Sequence, residues 1–151
     1  MRVLTTLLLS MTLCSAAMAE DVTVKNPLGI EMKANKVASP AATSPEGVIL
    51  KSIEMITANK FDEWMNSLCH PTYCPNDEKA RASMRQYNLP ASAKSAMACT
   101  ADDGKSLIVT RKDEKEDGSV TIYAFCGEKR MPAPATLSKD GDAWKISSFS
   151  W

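Results

Sequence analysis

Four cysteines, Cys69, Cys74, Cys99 and Cys126, follow a segment that reads as an export leader, and together they constrain this chain more than any other feature. The first nineteen residues, MRVLTTLLLSMTLCSAAMA, run from one basic residue, Arg2, through an apolar block to Ala17, Met18 and Ala19. That is the three-part pattern of a signal peptide, and the apolar run falls short of the roughly 20 residues a bilayer span requires. A fifth cysteine, Cys14, lies inside the leader, and Met11, Thr12 and Leu13 before it are not the small residues that precede a lipidated cysteine. Cleavage after Ala19 would leave 151 − 19 = 132 residues in an oxidising compartment, periplasmic or extracellular. An even cysteine count there is a disulfide framework with three connectivities.

Proximity favours Cys69 with Cys74 and Cys99 with Cys126. On the loop-entropy model these closures contribute about 2.2 and about 3.6 kcal/mol. Were Cys99 and Cys126 on strands separated by a third, their backbones would stand about 9.6 Å apart, beyond the ~7 Å limit for a bridge. The second pair therefore requires Cys99 to precede the sheet or to bend over its end, and crossed pairing stays open. The stretch SLCHPTYCPND also admits a metal or redox reading. Zinc would need a fourth ligand, and adjacent Cys69 and His70 fit one tetrahedron badly. Thiol–disulfide motifs have two intervening residues where this loop has four. A stapled surface loop is expected, with no metal and no cofactor, and with His70 and Tyr73 at its surface.

Without Arg2 the chain carries 17 basic and 18 acidic residues and no basic cluster, which argues against a nucleic-acid partner. No further apolar run is long enough to span a bilayer after the leader is removed. One domain is the natural size. Residues 20–45 read as a flexible lead-in, with at most a short strand at DVTVKNP, and the globular domain as 46–151.

Ser44 can cap a helix whose first residue is Pro45, with Ile49, Ile53 and Ile56 on its buried stripe and Leu50 widening it. FDEWMNSL makes a second helix with Phe61, Trp64, Met65 and Leu68 on one face. Asn76 or Asp77 opens a third with core positions Ala80, Met84 and Tyr87, ended at NLP because a residue before proline avoids helical geometry. From about residue 96 the apolar period falls to two. SLIVTRK and SVTIYAFC form one hairpin across DEKEDG; APATLSK and AWKISSFSW form another across DGD. In the last strand Trp144 and Ile146 share a parity that Phe149 and Trp151 do not, so a bulge at Ser147 and Ser148 is expected, bending the sheet.

Helices followed by a bent antiparallel sheet that closes on GDAWKISSFSW resemble the NTF2-like (SnoaL-like, cystatin-related cone) superfamily, in its small exported bacterial members, over Ser44 to Trp151. The resemblance implies an α+β fold with N-terminal helices packed on a curved sheet, a conical cavity, and dimerisation through the sheet. No catalytic motif of that superfamily can be matched here. Trp64, His70, Tyr73, Tyr123, Phe125 and Trp144 are the candidate pocket or partner-surface residues. The reading that follows is an exported, non-catalytic, disulfide-stapled domain that binds a small apolar ligand or another envelope protein. An inhibitor or immunity-type role on an envelope partner is the alternative. An isomerase or hydrolase would need Asp62, Glu63 or His70 in the cavity beside a hydrogen-bonding partner.

Overall fold

A computed structural model describes residues 18–74, 76–102 and 104–151; Cys14 and the leader up to residue 17 lie outside them. The chain begins with a hairpin, β1 (Met18–Lys25) and β2 (Glu31–Ala38), then four helices, α1 (Pro45–Thr57), α2 (Phe61–Ser67), α3 (Glu78–Ser83) and α4 (Leu89–Ala96). Four strands follow: β3 (Ser106–Glu114), β4 (Val120–Ala124), β5 (Ala133–Asp140) and β6 (Ala143–Phe149). All six strands form one antiparallel sheet in sequential order, with β1 and β6 at its ends.

The sheet is open and uncurved, and this overturns the resemblance to the NTF2-like cone. The expected bulge is present, since Thr136 faces Ser148 while Leu137 faces Ile146, leaving Ser147 as the extra residue. A second irregularity lies at Thr110, between Val109 and Arg111. Two local bulges do not close a sheet, for closure needs a consistent tilt and stagger through every strand. The element order differs as well. Residues read as a lead-in form the β1–β2 hairpin, which extends the sheet beyond β3.

Ser44 caps α1 as expected, its Oγ accepting from the Gly47 N–H at 3.1 Å, and Asp77 caps α3 by accepting from the Ala80 N–H at 2.8 Å. The helix does not stop at NLP. A π-turn over Met84–Asn88, in which the Leu89 N–H reaches back to the Met84 carbonyl, joins α3 to α4 with Pro90 in the first turn of α4. The wider turn removes the carbonyl a proline ring would strike and the bond its missing N–H could not make. It also turns the helix face, so Tyr87, an expected core residue, is exposed and Leu89 is fully buried.

Helices and sheet share one core. Ile49, Ile53, Ile56, Trp64 and Leu89 pack with Leu107, Ile122, Leu137 and Ile146. On β4, Val120, Ile122 and Ala124 are buried, as their common parity requires. The opposite face of the sheet carries Arg111, Thr121, Tyr123, Thr136 and Ser138; Arg111 is exposed, Thr121 is buried against Thr136, and the other three are half-buried. Among the described residues no helix is long and apolar enough to cross a membrane.

Candidate functional site

Both favoured disulfides are formed, Cys69–Cys74 and Cys99–Cys126. The geometric condition on the second is met at both ends. Cys99 sits in a single 3-10 turn before β3, and Cys126 lies just past the end of β4. In the first, both sulfurs are committed to the bond, so neither is a thiolate ligand. Among the described residues no cluster of three or more His, Cys, Asp or Glu could hold a metal ion.

The stapled loop leans on the sheet. The His70 N–H donates to the Ile146 carbonyl at 2.8 Å, and the Ile146 N–H to the Leu68 carbonyl at 2.7 Å. Two further amides, of Tyr73 and Cys74, converge on the His70 carbonyl at 2.9 and 3.0 Å. The loop thereby covers part of the free edge of β6, an edge that would otherwise offer unpaired backbone groups. The His70 ring is half-buried and its Nδ1 pairs with Thr72 Oγ1 at 2.7 Å.

Of the six candidate residues the structure brings two together. Trp64 and Tyr73 each meet Phe149 edge-on, with ring centroids 5.6 and 5.9 Å away, and Trp151 stacks on Phe149 at 4.9 Å. Trp64 is wholly buried and donates from Nε1 to the buried Ser52 Oγ at 2.6 Å. Tyr73 is half-buried and packs against this core through Phe149 rather than standing on the loop surface as expected, and that burial raises the pKa of its hydroxyl. Tyr123 is half-buried on the opposite face beneath the Arg111 guanidinium, 3.9 Å from its ring centroid. Phe125 is half-buried beyond the end of β4, and Trp144 is half-buried near the β5–β6 turn with Lys139 5.3 Å from its ring. These six therefore line no common cavity. Parity gives a face along one strand, but not which face the helices cover.

The candidate acids are on the surface. Asp62 accepts from Arg85 Nε at 2.9 Å, and Glu63 pairs with Lys60 at 3.8 Å. Both carboxylates border a shallow cleft of about 210 Å³ with their cationic partners, away from His70. No buried acid–base pair is assembled from them.

The largest cleft described, about 520 Å³, is one that sequence patterning did not single out. It lies over α1, with Pro40 and Ala42 from the β2–α1 connection, Leu50 and Ile53 from the helix, and Met97 from the turn after α4. Lys51 and Glu54, paired at 3.0 Å, form its polar rim. Met97 is 46% exposed, so its flexible thioether side chain is available at the cleft surface. The helical stripe did signal Leu50 as a widening of the apolar face; only folding shows that the widened part is covered on one side alone and borders the cleft on the other. Gly47 lets the connection cross the helix closely, since a Cβ there would collide with the Ala41 carbonyl. Compared with family models, curated proteins and solved structures, the chain finds no match.

Proposed function

We propose that this chain is an exported, non-catalytic binding domain whose partner is another protein of the same compartment, engaged through the cleft over α1. The observation that carries this reading is the cleft itself, in which half-buried Leu50 and exposed Met97 line the surface above buried Ile53, under a polar rim of Lys51 and Glu54. An open surface cleft with a large exposed methionine suits an apolar anchor residue presented by a partner. Export is supported by the leader-type N-terminus and by two disulfides, which persist in oxidising compartments. The dispersed Asp62, Glu63 and His70 favour binding over acid–base chemistry.

The test is site-specific photocrosslinking in the native compartment, with a photoreactive residue in place of Met97 and, as control, in place of the exposed Arg111 on the opposite sheet face. A single protein adduct at 97 that is absent at 111 and lost when Leu50→Glu is added supports the reading. Adducts to a lipid or metabolite at 97, or equal adducts at both positions, would reject it.

A further inference from the structure

We infer that the outer edge of β1 is a self-complementary docking strand, through which two copies of this chain join edge to edge into one continuous antiparallel sheet. Among the described residues no strand pairs with that side of β1. The Asn26 N–H donates to the Ile30 carbonyl at 3.0 Å, and β1 faces β2 with Val22 opposite Ala34 and Val24 opposite Met32. Because backbone direction alternates, the even-numbered residues bond to β2, and Asp21, Thr23 and Lys25 turn their N–H and C=O groups outward. The side chains of those same three residues are exposed, while Val22 and Val24 are half-buried on the other side of the ribbon.

Place a second copy of β1 antiparallel across that edge, with the two-fold axis at Thr23. Asp21 then faces the partner's Lys25, Thr23 faces the partner's Thr23, and Val22 faces the partner's Val24. Each outward-directed residue meets another outward-directed residue, giving about six backbone hydrogen bonds in place of orphaned groups. Both opposite-charge pairs form, and the valines meet on one face. Other registers lose this agreement. Shifting by two residues sets Thr23 against a charged side chain, and shifting by four sets Asp21 against Asp21 or Lys25 against Lys25. Lys25 is free to change partner, since its contact with Glu31 is 3.8 Å long and both side chains are more than half exposed. Charge complementarity thus selects a second copy of this chain over an arbitrary strand. The isologous contact closes at two.

Sedimentation of the native protein over a wide concentration series tests this. A monomer–dimer equilibrium that weakens with added salt is expected. Thr23→Pro should abolish the dimer without altering the circular dichroism or melting of the monomer, because the N–H it removes points away from β2. Asp21→Lys should raise the dimer dissociation constant about tenfold or more, since it places lysine opposite lysine twice. Adding Lys25→Asp to that variant should restore the dimer. A protein that stays monomeric at every concentration, a dimer that survives Thr23→Pro, or a double exchange no tighter than Asp21→Lys alone would each overturn the inference.

Discussion

Two tryptophans in this core have opposite hydrogen-bonding situations. Trp64 Nε1 is buried and satisfied by Ser52 Oγ, whereas Trp151 Nε1 is buried with no partner among the described residues. A buried donor that loses its acceptor bears its full desolvation cost, about 1–3 kcal/mol. Ser52→Ala is therefore expected to lower unfolding stability by that amount at an unchanged denaturant slope, measured by urea titration. Trp151→Phe should cost less than Trp64→Phe, since it removes a donor that bonds to nothing. Equal losses would mean that the Ser52 hydroxyl contributes little. A second residue-scale prediction concerns Asp102, whose carboxylate accepts from Lys36 Nζ at 2.8 Å and from Ser106 Oγ at 2.7 Å. The hydrogen bond from Lys36 leads in holding its pKa below the ordinary carboxylate value and in raising that of Lys36. A depressed carboxylate stabilises the fold above its unfolded pKa, and the gain is lost as pH falls through the folded one. Both groups are solvated, so the effect is small and weakened by salt. Asp102→Asn should flatten the acid limb of the stability–pH profile below about pH 4 and leave its slope near neutrality unchanged. An identical acid limb would dismiss the link.

Among the elements, the strands β3 to β6 were legible because each alternates, and the bulge at Ser147 because alternation fails between Ile146 and Phe149. The first hairpin was not. Its apolar residues alternate too, Val22 and Val24 facing Ala34 and Met32, yet the small, proline-bearing sequence after it suggested a lead-in. Long-range pairing of β2 with β3, Val37 against Leu107, holds it in the sheet, and no local signal encodes that. Pro90 misled for a different reason: the rule that proline ends a helix is local, and the π-turn before it is a geometric remedy the rule omits. In the candidate site, both disulfides were accessible from spacing and compartment, while the cleft over α1 depends on which part of a helix the rest of the chain leaves bare. The disulfides give the prediction at this scale. Cys99–Cys126 ties the turn after α4 to the end of β4 across a separation of 27 residues, and Cys69–Cys74 closes a local loop with a separation of 5. Double alanine replacement of Cys99 and Cys126 should cost about 3.6 kcal/mol and of Cys69 and Cys74 about 2.2, with the order decided by loop length. Thermal or urea unfolding of the two double variants checks it. A larger loss from the short loop would point instead to its bonds with Leu68 and Ile146.

The whole molecule divides unevenly between a packed body and an arm. The shared core draws on α1, α2, α4 and β3 to β6, whereas the first hairpin supplies only the half-buried Val37 to it. Pairing between β2 and β3 runs from Asn35 to Ala38, so residues 19 to 34 are held mainly by the hairpin's own ladder. Leu28 and Ile30, at 76% and 56% exposure, stand at its tip. An isolated two-stranded ribbon is marginal in water, and segments with few buried contacts open below the global unfolding free energy. Hydrogen exchange on dilute protein should show β1 and the distal half of β2 exchanging through local opening, while Ile122 and Leu137 amides exchange only with global unfolding. Protection in β1 equal to that in β4 would show that arm and body unfold as one unit. At higher concentration the same measurement separates the two edges of the β1 ribbon. If copies join through it, the amides of Asp21, Thr23 and Lys25, which point outward, gain protection with concentration. Those of Val22 and Val24, already bonded to β2, then slow only as far as the whole arm is stabilised.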